Sequence, residues 1–371
     1  MSERARPPFR ADHVGSLLRP SELIAARAAH ASGELTRAEL RKCEDQAILD
    51  VVRAQEDLGL QAVTDGEFRR TSFHLDFLQG FGNVAVTRAQ VTARFKTECG
   101  EIEMQPPALR VVGKLAHPRG IFVDDFSYLK RVTRAVPKLT IPSPTAMHFR
   151  GGRAAIDETA YPDMDEFFAD LARVYVEEIE DLARAGCSYL QLDEVNLAYL
   201  CDPALRAQVR AMGEDPDTLP STYAKLINAA IAARPREMSV CLHLCRGNFK
   251  SGWVAQGGYE PVADILFNEI AADGYFLEYD TARAGGFEPL RLVPKGKIVV
   301  LGLVSSKEPR LETKDDIKRR IDEASRFLPL DQLALSPQCG FASTVEGNAV
   351  STQVQFAKLR LLAEVAREVW S

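Results

Sequence analysis

The residues best suited to chemistry lie in the stretch Ser239–Asn248, which reads SVCLHLCRGN. Its small and apolar residues predict a β-strand that ends at Gly247. Side chains two positions apart on a strand point to the same face, so we expect His243 and Cys245 to leave the strand end side by side. Zinc accepts both an imidazole and a thiolate as ligands. A buried core strand with a hydrogen-bonded histidine explains the same pair, so His-x-Cys alone leaves both interpretations open.

The elements that must position this pair alternate between strand and helix. Two candidate strands, Phe9–Val14 and Leu60–Glu67, precede the more regular part of the chain. The six later ones are Lys138–Ser143, Cys187–Glu194, Ser239–Asn248, Tyr275–Asp280, Lys297–Val304 and Leu333–Cys339. Most are followed by a stretch with helical periodicity, which implies a parallel sheet. Eight such units predict an α/β fold of the (β/α)8 TIM-barrel type, formed by residues 1–371 as a single domain.

An open, doubly wound sheet is the main alternative to a closed barrel. It is weakened because no Gly-x-Gly-x-x-Gly turn follows a predicted strand. One segment, residues 72–135, interrupts the alternation after the second strand and is irregular and rich in aromatic residues. It has two short strand-like pieces, near Phe95 and Val111. We expect an insertion or long loop there, such as a hairpin over one mouth of the barrel.

In a parallel barrel, chemistry takes place at the carboxyl ends of the strands. The reactive side chains at those positions are Ser16, Glu67, Asp193, His243, Cys245, Glu278 and Cys339. If they face one mouth, Glu278 and Cys339 join the first pair, and two thiolates, an imidazole and a carboxylate make a four-ligand zinc set. The ligands come from three strands, so their spacing in the sequence is weak support for a zinc site. An exposed strand-end carboxylate and a small residue in a tight turn remain alternative interpretations of Glu278 and Cys339.

Six short motifs occur in order along nearly the whole chain. They are His13-Val-Gly-Ser16, Asp65-Gly-Glu-Phe-Arg69, Gln191-Leu-Asp-Glu194, His243-Leu-Cys245, Glu278 and Pro337-Gln-Cys-Gly340. In this combination the chain resembles the C-terminal, catalytic half of cobalamin-independent methionine synthase, and more closely the short single-domain relatives of that enzyme. The resemblance implies a zinc-bearing barrel that transfers a methyl group to a thiol.

The resemblance also assigns roles to the residues at the strand ends. It implies that zinc is held by His243, Cys245, Glu278 and Cys339. It further implies that Ser16 holds the carboxylate of an amino-acid substrate, while Glu67 and Asp193 hold its amino group. A strand-end salt bridge with Arg69 or Arg70 is the alternative interpretation of the two acidic residues.

Two positions depart from the family pattern. The stretch Pro142–Phe149 has no counterpart of the family's pterin-binding tryptophan, and Val304 lies near the position of a histidine thought to protonate the leaving pterin. Without that acid, the amine of a demethylated folate is a poor leaving group. His148 is a candidate replacement acid, with a structural role as the alternative.

We therefore expect a zinc-dependent S-methyltransferase that methylates homocysteine or a similar thiol. Its donor would be a 5-methyltetrahydrofolate-type compound, a methyl-corrinoid protein or another small methyl compound. Two other functions stay open: a zinc-dependent alkyl transferase that adds a thiol to an epoxide or similar electrophile, and a zinc-binding barrel without catalysis. A sulfonate-bearing thiol would need additional Arg or Lys side chains at the mouth.

Composition excludes several other classes. The 371 residues carry a net charge of -6 with no basic block, which argues against a nucleic-acid partner. No apolar run approaches the ~18 residues of a membrane span, and the N-terminal sequence lacks the apolar core of a signal peptide. Seven widely spread cysteines do not form a disulfide pattern, so we expect a reducing, cytoplasmic location. The oligomeric state is left open.

Overall fold

Twelve strands are present in the computed structural model, which describes residues 4–88, 93–98, 100–105 and 107–370. In chain order they are β1 (Ala62–Val63), β2 (Gly82–Arg88), β3 (Ala93–Thr97), β4 (Gly100–Met104), β5 (Pro107–Ala116), β6 (Val136–Pro137), β7 (Leu139–Pro142), β8 (Tyr189–Glu194), β9 (Ser239–Leu244), β10 (Gly274–Glu278), β11 (Ile298–Val304) and β12 (Leu333–Pro337). Strands β7 to β12 form one parallel sheet in chain order.

The two edges of this sheet are closed into a ring by the N-terminal part of the chain. Strand β1 pairs in parallel with β6, which runs directly into β7. At the other edge, Ala11 forms a parallel bridge to Leu335 on β12, and the amide of Asp12 donates to the Leu335 carbonyl at 3.0 Å. The Thr64 hydroxyl after β1 donates to the Gly15 carbonyl at 2.6 Å, which joins the two N-terminal segments. The predicted (β/α)8 barrel is confirmed.

The first barrel position differs from the prediction of a strand over Phe9–Val14. Only a single bridge forms there, at Ala11. The reason is local: the Asp12 carboxylate accepts from the backbone amides of Phe9 at 3.3 Å and His13 at 2.8 Å. Side-chain hydrogen bonds of this kind fold the backbone into a turn and compete with a strand ladder.

The helices surround the ring and cover the outer faces of the strands. They are α1 (Ser21–Ala31), α2 (Arg37–Asp57), α3 (Leu75–Leu78), α4 (Val123–Val132), α5 (Met164–Arg184), α6 (Asn196–Tyr199), α7 (Pro203–Ala211), α8 (Leu219–Ile231), α9 (Lys314–Ser325) and α10 (Thr352–Trp370). Side-chain caps start four of them, at Thr36, Asp163, Asp202 and Thr313, each accepting a hydrogen bond from a backbone amide in the first turn. Within the described ranges, no helix has the length and apolar character needed to span a membrane.

The helical segment between β9 and β10 is less regular than an α-helix. The segment Tyr259–Ile270 contains a 3-10 turn over Glu260–Val262 and a π-helical turn over Ile265–Glu269 in place of a continuous α-helix. Further 3-10 turns cover Pro144–Met147, Gly152–Ala155, Ala282–Ala284, Glu288–Leu292 and Leu330–Gln332.

Residues 72–135, predicted to be irregular, are mostly regular in the parts that the structure describes. Strands β2 and β5 pair antiparallel, and β3 pairs antiparallel with β4 further along the same hairpin. Lys96 on β3 forms an antiparallel bridge with Trp253, in the loop that follows β9, and the rings of Phe95 and Phe249 lie 5.3 Å apart. Because that loop leaves the carboxyl end of a barrel strand, the hairpin reaches the same mouth as the candidate site.

A buried ion pair lies inside the ring among apolar side chains. Lys138 Nζ contacts Asp12 Oδ1 at 3.1 Å, and the Tyr189 hydroxyl donates to Asp12 Oδ2 at 2.7 Å. The ammonium group also lies 4.0 Å from the centre of the Phe276 ring. The apolar residues of this inner cluster are Phe9, Val14, Ala62, Tyr189, Cys241, Phe276, Ile298, Val300 and Ala334. Charge and aromatic packing therefore fill the barrel interior together.

Candidate metal centre

Four potential ligands converge at the carboxyl ends of three strands. His243 is the penultimate residue of β9 and Cys245 directly follows that strand, while Glu278 ends β10 and Cys339 lies two residues after β12. One ligand atom from each of the four lies within 4.8 Å of the others, and all four side chains are buried. The two sulfur atoms are 3.5 Å apart. The barrel thus brings together all four residues that the sequence predicts as metal ligands.

The hydrogen bonding of the four residues fits a metal ion. Both ring nitrogens of His243 and the Oε2 atom of Glu278 are buried without a hydrogen-bond partner in the described part of the chain. Leaving such groups unpaired is costly, which is an argument for a ligand between them. The remaining contacts orient the donors: the Arg246 amide donates to Glu278 Oε1 at 3.0 Å, and the Gly247 amide to Cys245 Sγ at 3.3 Å. Two sulfurs, one nitrogen and one oxygen suit zinc.

Protons occupy part of this cluster when no cation is bound. The hydrogen bond between the two thiols holds the pKa of Cys339 well below its usual range and that of Cys245 well above it, so the pair shares one proton. Burial raises the pKa of the Glu278 carboxyl to about 7. A divalent cation needs the deprotonated form of each ligand, so its binding must release protons.

A lysine and an asparagine tie the two cysteine-bearing turns together. Lys307 Nζ donates to the Gly247 carbonyl at 3.1 Å and to Asn248 Oδ1 at 2.8 Å. Asn248 Nδ2 in turn donates to the Gly340 carbonyl at 2.8 Å and to Ser343 Oγ at 3.0 Å. The sequence reasoning missed these two residues. The one sequence signal they carry is that each lies a few residues after a strand, Asn248 after β9 and Lys307 after β11.

The two predicted ammonium-binding residues lie beside the metal cluster. Asp193 on β8 pairs in register with His243 on β9. Glu67 has a backbone φ of 61°, and its Oε1 accepts from the Thr140 hydroxyl at 2.8 Å while Oε2 has no partner among the residues described. A left-handed backbone at a residue other than glycine is strained, and such strain is concentrated at functional sites. Arg70 contacts Glu67 Oε1 at 3.7 Å.

The ionised forms of the Glu67 and Asp193 carboxyl groups are disfavoured in this environment. Burial raises the pKa of Asp193 to about 7 and also raises the pKa of Glu67. The nearby negative charge of Glu67 adds to the effect on Asp193. A cation that entered between them would relieve both penalties. The salt-bridge alternative holds only in part, because Arg69 turns away to Glu44 and Asp45.

Ser16 lies against the turn that carries Cys339. Its hydroxyl oxygen accepts from the Ala342 amide at 3.4 Å, and its carbonyl accepts from the Phe341 amide at 2.9 Å. A Cβ atom added to Gly340 would lie 1.9 Å from Ser16 Oγ. Only glycine at position 340 therefore leaves room for this hydroxyl.

His148 is the one predicted site residue that the structure does not bring to the cluster. Its Nδ1 lies 3.0 Å from the Tyr223 hydroxyl and its Nε2 lies 3.3 Å from Glu214 Oε1. Its ring packs against Phe167 and Phe168. These contacts favour the structural alternative for this residue.

The wall of the mouth is aromatic. Phe73 and Tyr199 pack against Cys245, Cys339 and Val195. Next to them, Arg150 Nη1 lies 3.2 Å from His74 Nε2. A substrate that reached the metal cluster from this side would pass apolar rings and a guanidinium group.

Comparison with known proteins identifies the family of this chain. The family model described as the catalytic domain of cobalamin-independent synthase matches residues 9–368. The chain belongs to the cobalamin-independent synthase family. The uncharacterized protein YxjH of Bacillus subtilis (strain 168) is 45% identical over 370 residues, which are 99% of this chain and 96% of that protein.

Two further members of the family extend the comparison. A solved structure from Listeria monocytogenes, of a candidate vitamin-B12-independent methionine synthase, is 36% identical with a TM-score of 0.78 and covers 99% of this chain and 100% of that one. The methionine synthase of Pyrococcus abyssi (strain GE5 / Orsay) is 25% identical over 331 residues, 88% of this chain and 84% of that protein. The family resemblance predicted from the six sequence motifs is confirmed.

Proposed function

We propose that this family member is a zinc-dependent S-methyltransferase that transfers a methyl group to homocysteine or a closely similar thiol. The observation that carries the proposal is the convergence of His243, Cys245, Glu278 and Cys339 within 4.8 Å at the mouth of the barrel. Relatives of this chain are named methionine synthase and 5-methyltetrahydropteroyltriglutamate–homocysteine methyltransferase. Zinc bound to these ligands would keep a thiol substrate as its thiolate, the nucleophilic form.

Among the four ligands, Glu278 is the one best able to give way to a substrate sulfur. Its Oε1 already accepts from the Arg246 amide, so the carboxylate keeps a partner when Oε2 is withdrawn. Cys245 also accepts a backbone amide, from Gly247, but through the sulfur that would bind the metal, so it has no second acceptor atom to keep a partner. X-ray absorption of the zinc-loaded protein should show one additional sulfur when homocysteine is added, and an unchanged shell would rule out this role for Glu278.

The amino-acid end of the substrate would be oriented by three residues around the cluster. Glu67 and Asp193 would face the ammonium group of the substrate. Neighbouring side chains neutralise these two buried carboxyl groups only in part, so the ammonium charge would stabilise their ionised forms. Ser16 would donate its hydroxyl to the substrate carboxylate at the turn that carries Cys339. Because these contacts are buried, they exclude water from the charged groups and fix the sulfur toward the cluster.

Neither of the two positions considered for a proton-donating imidazole supplies one to the cluster. Val304, which lies near the position of the family's histidine, is fully buried, and His148 is engaged by Tyr223 and Glu214. The donor is best identified with a panel of 5-methyltetrahydrofolate, a methyl-corrinoid and small S-methyl or O-methyl compounds. We expect methionine from homocysteine with one of these donors, at a rate that depends on zinc.

The decisive variants remove one sulfur ligand at a time. Cys245→Ser and Cys339→Ser should lose bound zinc and methionine formation together, because three ligands hold the ion far more weakly. Cys43→Ser, which removes an exposed thiol, is the matched control and should retain both. Zinc retained at the four-ligand cluster in Cys245→Ser would refute the ligand set. Zinc binding without thiol-dependent proton release would instead indicate a non-catalytic barrel, and consumption of an epoxide by the thiol would indicate an alkyl transferase.

A further inference from the structure

The loops that follow β9 and β10 hold a group of buried polar side chains that the proposed function does not use. Its members are Trp253, Asp280, Thr281 and Arg283, called the loop cluster below. Trp253 Nε1, Asp280 Oδ1, Thr281 Oγ1 and both Nε and Nη2 of Arg283 are buried without a hydrogen-bond partner in the described part of the chain. Such atoms are costly to leave unpaired, so their concentration in two neighbouring loops is an argument for a ligand.

The members of the loop cluster lie close together. The Arg283 guanidinium covers the Trp253 ring at 4.5 Å from the ring centre. Arg283 Nη2 lies 3.5 Å from Asp280 Oδ1, in an ion pair that lacks hydrogen-bond geometry, and only 11% and 2% of these two side chains are exposed. The Gly257 amide donates to the Arg283 carbonyl at 2.9 Å and so joins the two loops.

The unpaired atoms match the two charged ends of an amino acid. Nε and Nη2 form one edge of the Arg283 guanidinium, and two parallel N–H donors on such an edge fit a carboxylate. The Trp253 N–H is a further donor for the same group, while Asp280 Oδ1 can only accept and suits an ammonium group. Because Arg283 and Asp280 carry opposite charges, a zwitterion fits the loop cluster better than a simple anion.

The loop cluster lies beside the candidate metal centre. Asp280 is two positions beyond Glu278, and the Tyr279 amide between them still donates to the Gly302 carbonyl at 2.9 Å, as in a strand. Side chains at this spacing share a face and lie roughly 6.6 Å apart. The predicted homocysteine residues come from the first, second and fourth barrel positions, whereas the loop cluster follows the fifth and sixth. A second substrate held there would approach from a different side of the mouth.

We propose that the loop cluster binds the amino-acid end of the methyl donor, and that this donor is an amino acid with a methylsulfonium group. The inference rests on the proposed methyl transfer to homocysteine. The homocysteine thiol loses its proton to solvent, and its sulfur bonds to the methyl carbon as the bond from that carbon to the sulfonium sulfur breaks. The electron pair of the broken bond stays on the leaving sulfur, which departs as a neutral thioether. This leaving group needs no acid, in agreement with the positions of Val304 and His148.

Because the unpaired atoms are buried, the loop that carries Trp253 opens when the donor enters. Phe249 and Gly252 exchange backbone hydrogen bonds of 3.3 and 2.8 Å, and the two residues between them, Lys250 and Ser251, have φ of 48° and 68°. A left-handed backbone costs a residue other than glycine about 1 kcal/mol or more. The turn therefore keeps its shape through its contacts with β3, and release of these contacts frees Trp253 to move.

The fluorescence of Trp253 measures binding to the full-length protein with no homocysteine present. The chain has two tryptophans, so Trp370→Phe leaves Trp253 as the sole reporter. We expect S-methyl-L-methionine to change its emission saturably. Arg283→Gln and Asp280→Asn should each weaken this binding at least about tenfold, the factor for one lost hydrogen bond to a charged group. Calorimetry with the unmodified chain as parent gives the same comparison without Trp370→Phe.

A second probe and a control variant separate the two ends of the ligand. Dimethylsulfoniopropionate has the carboxylate and the sulfonium but no ammonium group, so Arg283→Gln should weaken its binding and Asp280→Asn should not. Arg291→Gln is the matched control, because it removes a cation from the same connection between β10 and β11 that contacts Glu260 instead. It should bind both probes as the parent does.

Turnover tests the assignment of the donor. With zinc and homocysteine, S-methyl-L-methionine should yield two methionines for each homocysteine consumed, and Arg283→Gln should raise the KM of the donor more than that of homocysteine. Equal binding by the parent, Arg283→Gln and Asp280→Asn would overturn the proposal and leave an ion pair only. Methionine formed solely from donors without an amino-acid end would also overturn it. The binding comparison needs no turnover, so it decides the loop cluster separately from the proposed function.

Discussion

At the scale of single residues, the candidate metal centre is a set of buried donor atoms, several of which lack hydrogen-bond partners. Two nitrogens of His243 and one oxygen of Glu278 lack partners in the described part of the chain, and Cys245 and Cys339 share one proton. The sequence could predict these residues because each ends a strand of recognisable pattern. It could not predict Lys307 and Asn248, because their hydrogen bonds depend on how three loops approach one another in space.

The protonation of the cluster predicts that zinc affinity rises with pH. The raised pKa values of Cys245 and of Glu278, the latter about 7, mean that both groups hold protons at neutral pH which zinc must displace. Affinity should therefore fall as the pH is lowered from 8 to 6. Competition with a chelator at each pH measures it, and calorimetry in two buffers of different ionisation enthalpy counts the protons released. Affinity that stays constant over this range would contradict the prediction.

The close approach of Ser16 to Gly340 predicts the effect of adding one methyl group. Gly340→Ala places a Cβ atom 1.9 Å from Ser16 Oγ and must displace that hydroxyl. We expect the KM for homocysteine to rise about tenfold or more, because that factor corresponds to the binding free energy lost with one hydrogen bond to a charged group. Steady-state kinetics with zinc-loaded protein measures it.

The control for this substitution is Gly258→Ala, whose Cβ would meet nothing nearer than the Gly285 Cα atom at 3.6 Å. Ser16→Ala should reproduce the rise in KM with unchanged zinc content. If both Gly340→Ala and Ser16→Ala bind homocysteine as the parent does, Ser16 does not hold the substrate carboxylate.

At the scale of elements, the sequence predicts best what is buried on both faces. The apolar run Lys297–Val304 became β11 almost residue for residue, because a strand covered on both sides needs no polar alternation. The hairpin strands β2 to β5 are partly exposed, so their pattern is weaker, and their pairing depends on residues outside the segment. The bridge between Lys96 and Trp253 is an example.

The contact between the hairpin and the loop after β9 predicts a local change in stability. Phe95→Ala removes the ring that packs on Phe249, an aromatic contact worth about 1 kcal/mol. We expect hydrogen exchange at the Trp253 amide, which donates to the Lys96 carbonyl, to become roughly fivefold faster. Val112→Ala, an exposed position on the same hairpin, should leave this rate unchanged. Equal exchange in all three proteins would mean that the ring does not hold the loop.

At the scale of the whole molecule, the ring is closed by contacts between its two ends and contains a charged pair. Asp12 and Lys138 come from the first and third barrel positions and meet in the interior. Neither was singled out from the sequence, because a charged residue in a strand is usually exposed. Because both charges are buried, removing either one would leave the other without a compensating charge.

Removing the charge of Lys138 with little change in side-chain volume should cause a large loss of stability. Lys138→Met leaves the Asp12 carboxylate buried without its cation, and we expect the free energy of unfolding to fall by about 3–5 kcal/mol. Urea denaturation of the metal-free protein measures it. Lys314→Met, which removes a cation from a surface network with Glu364 and Glu368, should change little. Comparable stabilities for the two variants would show that the buried pair contributes no more than a surface one.

The closure of the ring at Ala11 and Leu335 also sets an order of events during biosynthesis. Cys339 leaves the ribosome almost a hundred residues after His243 and reaches its place when β12 docks beside the N-terminal segment. A nascent chain that has not yet docked this strand offers an ion at most three of the four donors. Metallation is therefore expected to follow completion of the barrel, so that premature capture of zinc by a half-made chain is weak and reversible.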